Sequence, residues 1–435
     1  MNTTSDPNLP LIESARSHIV EGRLAEAAAV LNQAREQIPS DPRVYIMAGL
    51  MAEKAGNISA AFQMMEKGLS LDSHWVPGIM ELAQMQARQG QFPEALDNAA
   101  TAIELDPDSA VVRDGAIQVA LLSGQRELAV HHLQEGLKAQ PSHRQWRRTL
   151  ASTLGHLGRT EESLALWDAL VAEAPQDRQM LEGRMHTLLA AGRSSEAARD
   201  TAALLALNPD SAAYAYYDAL AHGQTPERQP AELNRDLFDN AAIVFDQQLV
   251  QALQYRLPQQ IARQILVRHP TRECTLLDLG CGTGLLGAHL GKLQGLLVGA
   301  DLSPKMLEQA RKRGIYDELE EADLSDMLAR SPEKAWNVVT ALDVCIYIGT
   351  LDEMIEGARR VLAPGGCLIF SCESADETGP DLYLNPVTQR YAHKRSHVEA
   401  QCRAAGFDAQ AEETILRLEK GQPVRGFVVT AVKPA

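Results

Sequence analysis

A glycine recurs every 34 residues through the first half of this 435-residue chain, at Gly22, Gly56, Gly90, Gly124, Gly158 and Gly192. Five positions after each glycine stands a small residue: Ala27, Ala61, Ala95, Ala129, Ser163 or Ala197. Twelve positions further on, five copies carry proline and one carries Ser73. Six copies in one register predict a repeated structural unit rather than a single core.

These markers predict two helices in each repeat. Glycine suits the tight turn between the helices, the small residue lets the helices cross closely, and proline ends the second helix. One helix pair cannot bury its apolar face alone, so we expect the pairs to stack into an all-α superhelix. The pattern resembles the tetratricopeptide repeat over roughly residues 8–209. The resemblance implies a surface that docks protein or peptide segments.

The pattern changes after the repeats. Residues 211–222 predict a capping helix, so the repeat domain is expected to span 8–222, with a polar linker at 223–235. From 236 to 435, strand-like runs alternate with helical patterns. The runs are 276–279, 296–300, 337–341, 367–372 and 426–432. This alternation predicts a mostly parallel, doubly wound α/β sheet of the Rossmann-like type.

The composition of the chain disfavours several classes of binding partner. The net charge of −16 repels phosphate backbones, so nucleic acid is a poor candidate partner. The six cysteines form no CxxC pair and no Cys/His cluster, which predicts reduced thiols and no metal site. The first residues are polar, and no apolar run approaches the ~18 residues of a membrane span. We therefore expect a cytoplasmic protein without a membrane partner.

The sharpest motif is LLDLGCGTG, a short strand that runs into Gly280, Gly282 and Gly284. Glycines there let the backbone approach a ligand, and the following helix start offers free N–H groups. Gly282, Gly284 and Gly287 also fit the GxGxxG pattern of dinucleotide sites. Asp278 favours a ligand with a positive amino group and a sulfonium, and it would repel a pyrophosphate. The motif therefore favours S-adenosylmethionine over NAD.

Two further acids follow predicted strands. Asp301 ends the second strand and can accept hydrogen bonds from both ribose hydroxyls of either cofactor. Asp323 follows the third strand and can accept from an adenine amino group. The predicted cofactor set is completed by residues of the same segments and of the fourth strand's end: Leu302, Met306, Leu324 and Asp343.

Together these segments resemble the class I S-adenosylmethionine-dependent methyltransferases over about residues 237–433. The resemblance implies S-adenosylmethionine as cofactor and a seven-stranded sheet. Its last two strands would form an antiparallel hairpin, here roughly 414–418 with 424–432. A dehydrogenase and a non-enzymatic scaffold stay as minor alternatives, the latter disfavoured because the motifs are intact.

The whole chain resembles, more narrowly, bacterial methyltransferases with N-terminal tetratricopeptide repeats. The residues that carry this resemblance are Phe238-Asp239, Phe245-Asp246, Tyr347-Ile348-Gly349 and Arg390-Tyr391-Ala392-His393. Ala241 stands where that group often has a tyrosine.

Methyl transfer requires an acceptor held in line with the methyl group in a dry site. An amine or hydroxyl acceptor must also lose a proton. Position after the fourth and fifth strands makes Tyr347, Tyr391 and His393 the predicted catalytic residues, with Glu373 and Tyr383 as further acceptor-side candidates. Many related enzymes have a histidine where Tyr347 stands, which favours an acceptor that needs no strong base.

Two functional hypotheses remain open. In the first, the repeats recruit a protein or peptide substrate to a methyltransferase domain. In the second, the substrate is a small molecule or a carrier-bound metabolite, and the repeats serve oligomerisation or docking.

Overall fold

The structure is a computed structural model that describes residues 6–242, 254–419 and 421–435. Phe245, Asp246 and Lys420, which stands between the two strands of the predicted hairpin, lie outside the described residues. By their contacts the residues form two compact units, Met1–Gly183 and Arg184–Ala435, and each is described by itself. The domain limits predicted at residues 222 and 235 stay predictions.

The described part of the first half is helical. Its helices are α1 (Leu9–Val20), α2 (Leu24–Gln37), α3 (Pro42–Lys54), α4 (Ile58–Leu71), α5 (Val76–Arg88), α6 (Phe92–Leu105), α7 (Ala110–Leu122), α8 (Arg126–Ala139), α9 (Arg144–His156), α10 (Thr160–Glu173), α11 (Arg178–Ala190), α12 (Ser194–Leu207) and α13 (Ala212–Ala221).

The markers of the repeat act as predicted. All six repeat glycines adopt left-handed φ angles between 71° and 78° at the turn between two helices. After the first of them, the Arg23 N–H donates back to the His18 carbonyl at 2.8 Å, which closes the end of α1. The six small residues are fully buried. In the first copy α2 ends at Gln37, two residues before Pro39.

The second half alternates strands and helices. Its elements are α14 (Ala231–Ala241), α15 (Leu257–Arg268), β1 (Leu276–Leu279), α16 (Leu285–Leu290), β2 (Leu297–Asp301), α17 (Pro304–Arg313), β3 (Glu318–Glu321), α18 (Leu324–Arg330), β4 (Trp336–Ala341), α19 (Asp352–Val361), β5 (Leu362–Ser374), β6 (Leu382–Leu384), β7 (Tyr391–His393), α20 (Arg395–Ala404), β8 (Asp408–Glu419) and β9 (Gln422–Val432). A 3₁₀ turn, Cys345–Tyr347, follows β4.

The sheet has a parallel part and an antiparallel edge. Strands β3, β2, β1, β4 and β5 lie side by side in that order, all parallel. Strand β9 runs antiparallel to β5, and β8 pairs with β9. The predicted hairpin is therefore in the right place but too short. Only scattered residues of DAQAEETILRLE in β8 are buried, so its apolar pattern is too weak to mark the whole strand.

The sheet has nine strands in place of the seven that the resemblance implies. The two additional strands, β6 and β7, form a small antiparallel hairpin between β5 and α20. Strand β7 also pairs in parallel with the end of β5, at Glu373 and Ser374. Three residues are too few to show a period of two, so this hairpin leaves no signal in the sequence.

Apolar layers cover both faces of the sheet. Leu277 and Leu279 of β1 face a core that includes residues of α18, α19 and α20. Leu276 faces the opposite core, which includes residues of α15, α16 and α17. The predicted order of an all-α repeat region followed by a doubly wound α/β sheet is confirmed. Among the described residues, no helix combines the length and the apolar character that crossing a bilayer requires.

Candidate active site

A cavity of about 300 Å³ opens where the parallel strands end. Nine of the ten predicted cofactor residues line it: Asp278, Gly280, Gly282, Asp301, Leu302, Met306, Asp323, Leu324 and Asp343. Residues from α14 and from β8 complete parts of its wall. The carboxyl ends of parallel strands are the usual ligand site of such a sheet, so the fold brings the predicted residues together.

The glycine loop needs its glycines for two different reasons. Gly280, Gly282 and Gly284 all have positive φ, at 66°, 54° and 84°. A Cβ on Gly280 would lie 2.4 Å from Val344 Cγ2, so glycine allows the segment after β4 to approach the loop. Gly284 does not line the cavity; a Cβ there would press on Tyr316 at 3.0 Å. Gly284 therefore serves the packing of α16.

Asp278 is held in place by two buried hydroxyl groups. Its carboxylate accepts from the Tyr316 hydroxyl at 2.6 Å and from the Thr340 hydroxyl at 2.7 Å. Tyr316 in turn accepts from the Gly287 N–H at 3.2 Å. Burial raises the pKa of Asp278 to about 6, against the lowering effect of both hydrogen bonds. Tyr316 lies outside every sequence motif, and the sequence analysis missed it.

Asp301 connects β2 to the glycine loop. One carboxylate oxygen accepts from the Gly282 N–H at 2.8 Å, and the other accepts from the Ser303 N–H at 2.9 Å. Burial raises the pKa of Asp301, and these backbone hydrogen bonds oppose the shift. The same carboxylate lines the cavity, so its remaining lone pairs are available to a ligand.

Asp323 caps α18 and also forms an ion pair. It accepts from the Ser325 N–H at 2.8 Å as the N-cap of that helix. Its second oxygen accepts from the guanidinium of Arg228 at 2.7 Å. Arg228 comes from the predicted linker, which the sequence gives no reason to place at this cavity.

Arg417 of β8 anchors a buried ionic cluster at another part of the wall. Its guanidinium is 2% exposed and donates to Asp343 and Glu419, each at 2.8 Å, and to Glu373. Arg390 also pairs with Glu419. Burial raises the pKa of Asp343, although Arg417 lowers it. The sequence does not reveal Arg417 as a site residue, because 74 positions separate it from Asp343 and no local pattern links the two.

Asp343 has a strained backbone. Its φ of 61° lies in the left-handed region, which a non-glycine residue rarely adopts. The Asp343 N–H donates to the Ser371 hydroxyl at 2.8 Å, which fixes this turn after β4. Strain of this kind is concentrated at functional sites, because the surrounding structure must maintain it.

Of the three predicted catalytic residues, Tyr347 lines the cavity, whereas Tyr391 and His393 do not. Tyr347 lines the cavity, and its ring packs edge-to-face on Phe238 with the ring centres 5.5 Å apart. Burial raises the pKa of Tyr347 to about 12. His393 is buried outside the cavity, and its Nε2 donates to the Ile348 carbonyl at 2.9 Å. Tyr391 is fully buried and donates to the Pro226 carbonyl at 2.8 Å.

Asn234 of α14 is a site residue that the sequence analysis missed. Its side chain lines the cavity and is 6% exposed. No described residue forms a hydrogen bond with its Oδ1. An unpaired buried amide oxygen costs about 1–3 kcal/mol, so this atom is suited to accept a hydrogen bond from a bound ligand.

The raised pKa of Asp278 predicts a pH-dependent stability. Since the folded-state pKa of about 6 exceeds the ordinary value of 3.8, the native state holds the proton more tightly than the unfolded state. The contribution of Asp278 to the free energy of unfolding is therefore fully present below about pH 4. It falls by about 3 kcal/mol as the pH rises through 6. Urea unfolding at pH 4–8 should show this fall in wild type and not in Asp278→Asn. Parallel curves would contradict the assignment.

The ionic cluster predicts a large loss of stability for Arg417→Met. Removing the guanidinium leaves Asp343, Glu373 and Glu419 without their buried cation, which should cost about 3–5 kcal/mol in urea unfolding at pH 7. Arg403→Met is the matched control, because Arg403 pairs with Glu399 on an exposed helix surface. It should cost less than about 1 kcal/mol. Equal losses in the two variants would contradict a buried cluster.

Comparisons with known proteins match separate segments. A family model described as a methyltransferase domain matches residues 277–368, and a tetratricopeptide repeat model matches residues 12–73 and 116–178. The chain is 30% identical over 105 residues to a ubiquinone biosynthesis O-methyltransferase of Chelativorans sp., covering 23% of this chain and 41% of that protein. It is 33% identical over 134 residues to a malonyl-[acyl-carrier protein] O-methyltransferase of Legionella pneumophila, covering 28% and 45%.

The chain thus spans less than half the length of these two curated relatives. Among solved structures, it resembles magnesium protoporphyrin IX methyltransferase from Synechocystis PCC 6803 with bound S-adenosylmethionine. That match has 19% identity and a TM-score of 0.36, and it covers 47% of this chain and 96% of the other. The chain carries tetratricopeptide repeats and a methyltransferase domain, as the sequence predicts.

Proposed function

We propose that this chain is an S-adenosylmethionine-dependent methyltransferase. The observation that carries the proposal is the arrangement around Asp301, whose carboxylate joins the glycine loop to the end of β2 and faces the cavity. Asp278 and Asp323 line the same cavity from the neighbouring strand ends. Acids at these ends suit a ligand that carries hydroxyl and amino donors.

The cavity fits this cofactor chemically. S-adenosylmethionine supplies a methyl group activated by a positively charged sulfur. In our assignment Asp301 holds the ribose hydroxyls, Asp278 faces the amino-acid end, and Asp323 accepts from the adenine amino group. The Oδ1 atom of Asn234, with which no described residue forms a hydrogen bond, provides a further acceptor that a ligand rich in donors would satisfy. Gly280 and Gly282 leave room for close backbone approach.

The remaining wall disfavours a methyl acceptor that enters as an anion. Each arginine that lines the cavity is already paired: Arg228 with Asp323, Arg390 with Glu419, and Arg417 with three carboxylates. The undescribed residues 243–253 contain no lysine, arginine or histidine. An acceptor that enters as a carboxylate or phosphate would therefore find no unpaired arginine in the described wall, and it would meet the carboxylates of Asp278 and Asp301.

The protein groups at the cavity hold protons in a definite way. Tyr347 stays neutral at physiological pH, because burial raises its pKa to about 12, and so it can donate a hydrogen bond to an acceptor atom. His393 cannot take up a proton on Nε2 from the acceptor, because that nitrogen already donates to backbone carbonyls. His393 is therefore not placed to act through Nε2 as the base for an acceptor that must lose a proton.

We propose further that the repeats recruit the substrate as a protein or peptide. The first unit contains a groove of about 540 Å³ lined by polar residues of the later repeats, among them Arg126, Arg148, His156 and Glu182. Side chains of both charges in one groove suit a peptide, which offers backbone and side-chain partners together.

A second candidate function is methylation of a small or carrier-bound metabolite. The names of the two curated relatives favour it, since one acts in ubiquinone biosynthesis and the other on malonyl-[acyl-carrier protein]. In this case the repeats would serve docking or oligomerisation.

Asp301→Ala should abolish methyl transfer, because the substitution removes both the bond to the Gly282 N–H and the proposed ribose acceptor. The measurement is transfer of labelled methyl groups from S-adenosylmethionine into an extract of the source cells, separated into protein and small molecules. Asp326→Ala is the matched control, because Asp326 is an exposed acid outside the cavity.

Label in protein supports recruitment by the repeats, and label only in small molecules supports the second candidate. Wild type that neither transfers label nor binds the cofactor in calorimetry contradicts the proposal.

Asn234→Leu should change stability and binding in opposite directions. The Oδ1 atom has no hydrogen-bond partner among the described residues, so its removal is expected to stabilise the free protein by about 1–3 kcal/mol in urea unfolding. The same change removes an acceptor for the cofactor, so calorimetry should show weaker binding of S-adenosylhomocysteine. If binding is unchanged, Asn234 does not contact the cofactor.

A further inference from the structure

The polar stretch predicted as a linker is hydrogen-bonded along its length. Residues 226–230, here named the strap, run into the N-terminus of α14. The carbonyl of Glu227 accepts from the Gly349 N–H at 2.7 Å and from the Thr350 N–H at 3.0 Å. The Gln229 N–H donates to the Tyr347 carbonyl at 3.0 Å. Arg228 thus pairs with Ile348 as an isolated antiparallel bridge.

The strap contacts two of the motifs quoted above, Tyr347-Ile348-Gly349 and Arg390-Tyr391-Ala392-His393. Tyr347-Ile348-Gly349 supplies its backbone partners. A Cβ on Gly349 would lie 2.9 Å from the Glu227 carbonyl oxygen, so only glycine allows this approach. From the other motif, the Tyr391 hydroxyl donates to the Pro226 carbonyl at 2.8 Å. His393 donates to the Ile348 carbonyl and so fixes the segment with which the strap pairs.

The opposite side of the strap faces the cavity. Arg228 and Gln229 both line it. The Arg228 guanidinium donates to Asp323 at 2.7 Å and to the Ser325 hydroxyl at 3.4 Å, at the N-terminus of α18. The strap therefore spans from the segment after β4 to the acid that follows β3. These strand ends flank the proposed adenine position.

We propose that the strap is a wall of the cofactor site and controls how tightly the adenosine moiety is held. This inference rests on the proposed function. Tyr391 and His393 are then positioning residues, which act on the cofactor through the strap and take no part in proton transfer. Arg228 orients Asp323 and covers the adenine end. The strap lies 47 residues before the segment that matches the methyltransferase family model, so that match does not include it.

The bonds of the strap set the expected sizes of the effects. Arg228 is 41% exposed on its side chain, so its pair with Asp323 is a weak one, and Arg228→Ala should lower affinity by at most about fivefold. Tyr391→Phe removes one buried hydrogen bond that holds the strap, which corresponds to roughly fivefold to tenfold. Gly349→Ala pushes against the Glu227 carbonyl and should have the largest effect.

The test is calorimetric titration of the full chain with S-adenosylhomocysteine and with 5′-methylthioadenosine, which lacks the amino-acid end. Stopped-flow measurement supplies the dissociation rates. We expect Tyr391→Phe and Gly349→Ala to weaken both ligands by the same factor and to raise the dissociation rate. Tyr45→Phe is the matched control, because the Tyr45 hydroxyl donates to the Pro39 carbonyl at 3.1 Å within the repeats. It should leave both ligands unaffected.

The outcomes separate the strap from the proposed function. Wild type that binds neither ligand overturns the proposed function itself. Wild type that binds, with Tyr391→Phe and Arg228→Ala binding equally well, overturns the strap. Weakening of S-adenosylhomocysteine alone also overturns it, because the strap faces the adenosine end. If Gly349→Ala fails to fold, Tyr391→Phe decides alone, since it removes one hydroxyl and adds no atom.

Discussion

The site depends on the two hydrogen bonds that the Asp301 carboxylate accepts from the Gly282 and Ser303 N–H groups. The bond from Gly282 fixes the end of β2 against the glycine loop after β1, and the bond from Ser303 fixes the turn that follows β2. The loop can accept this position only because Gly280 and Gly282 adopt positive φ. Burial of Asp278 below it adds a second fixed carboxylate. The crevice is thus rigid before a ligand enters, which limits the entropy lost on binding.

The parts of the fold that sequence could predict are those with a local signal. The repeats are predictable because each turn needs a residue with left-handed φ. Gly22 and the five later repeat glycines supply this residue at a fixed interval. The acids at strand ends are predictable because a parallel sheet brings its carboxyl ends to one edge. These positions need only the order of the elements, and the order is readable from the alternation of apolar runs.

The parts that the sequence could not predict depend on contacts between distant segments. Arg417 lies on an antiparallel strand and meets Asp343 only because β9 and β8 pair beyond β5. Asn234 stands in an ordinary polar helix, and its burial follows from where α14 packs. The sequence predicts Tyr391 and His393 as catalytic from their place after β5. It gives no sign of their contacts, because the hairpin of β6 and β7 directs both side chains to backbone carbonyls.

The charges of the cavity divide between its two ends. At the end with the proposed cofactor contacts, hydroxyl groups stabilise Asp278 and backbone N–H groups stabilise Asp301, so these carboxylates can still interact with donors on a ligand. At the other end the carboxylates of Asp343, Glu373 and Glu419 form ion pairs with Arg417 and Arg390, which offset most of their negative charge. Such a cluster fixes the geometry of the wall and presents little net field to an acceptor. In our proposal, recognition of the acceptor then depends on shape and on the Tyr347 hydroxyl more than on charge, which agrees with the proposed recruitment of the substrate by the repeats.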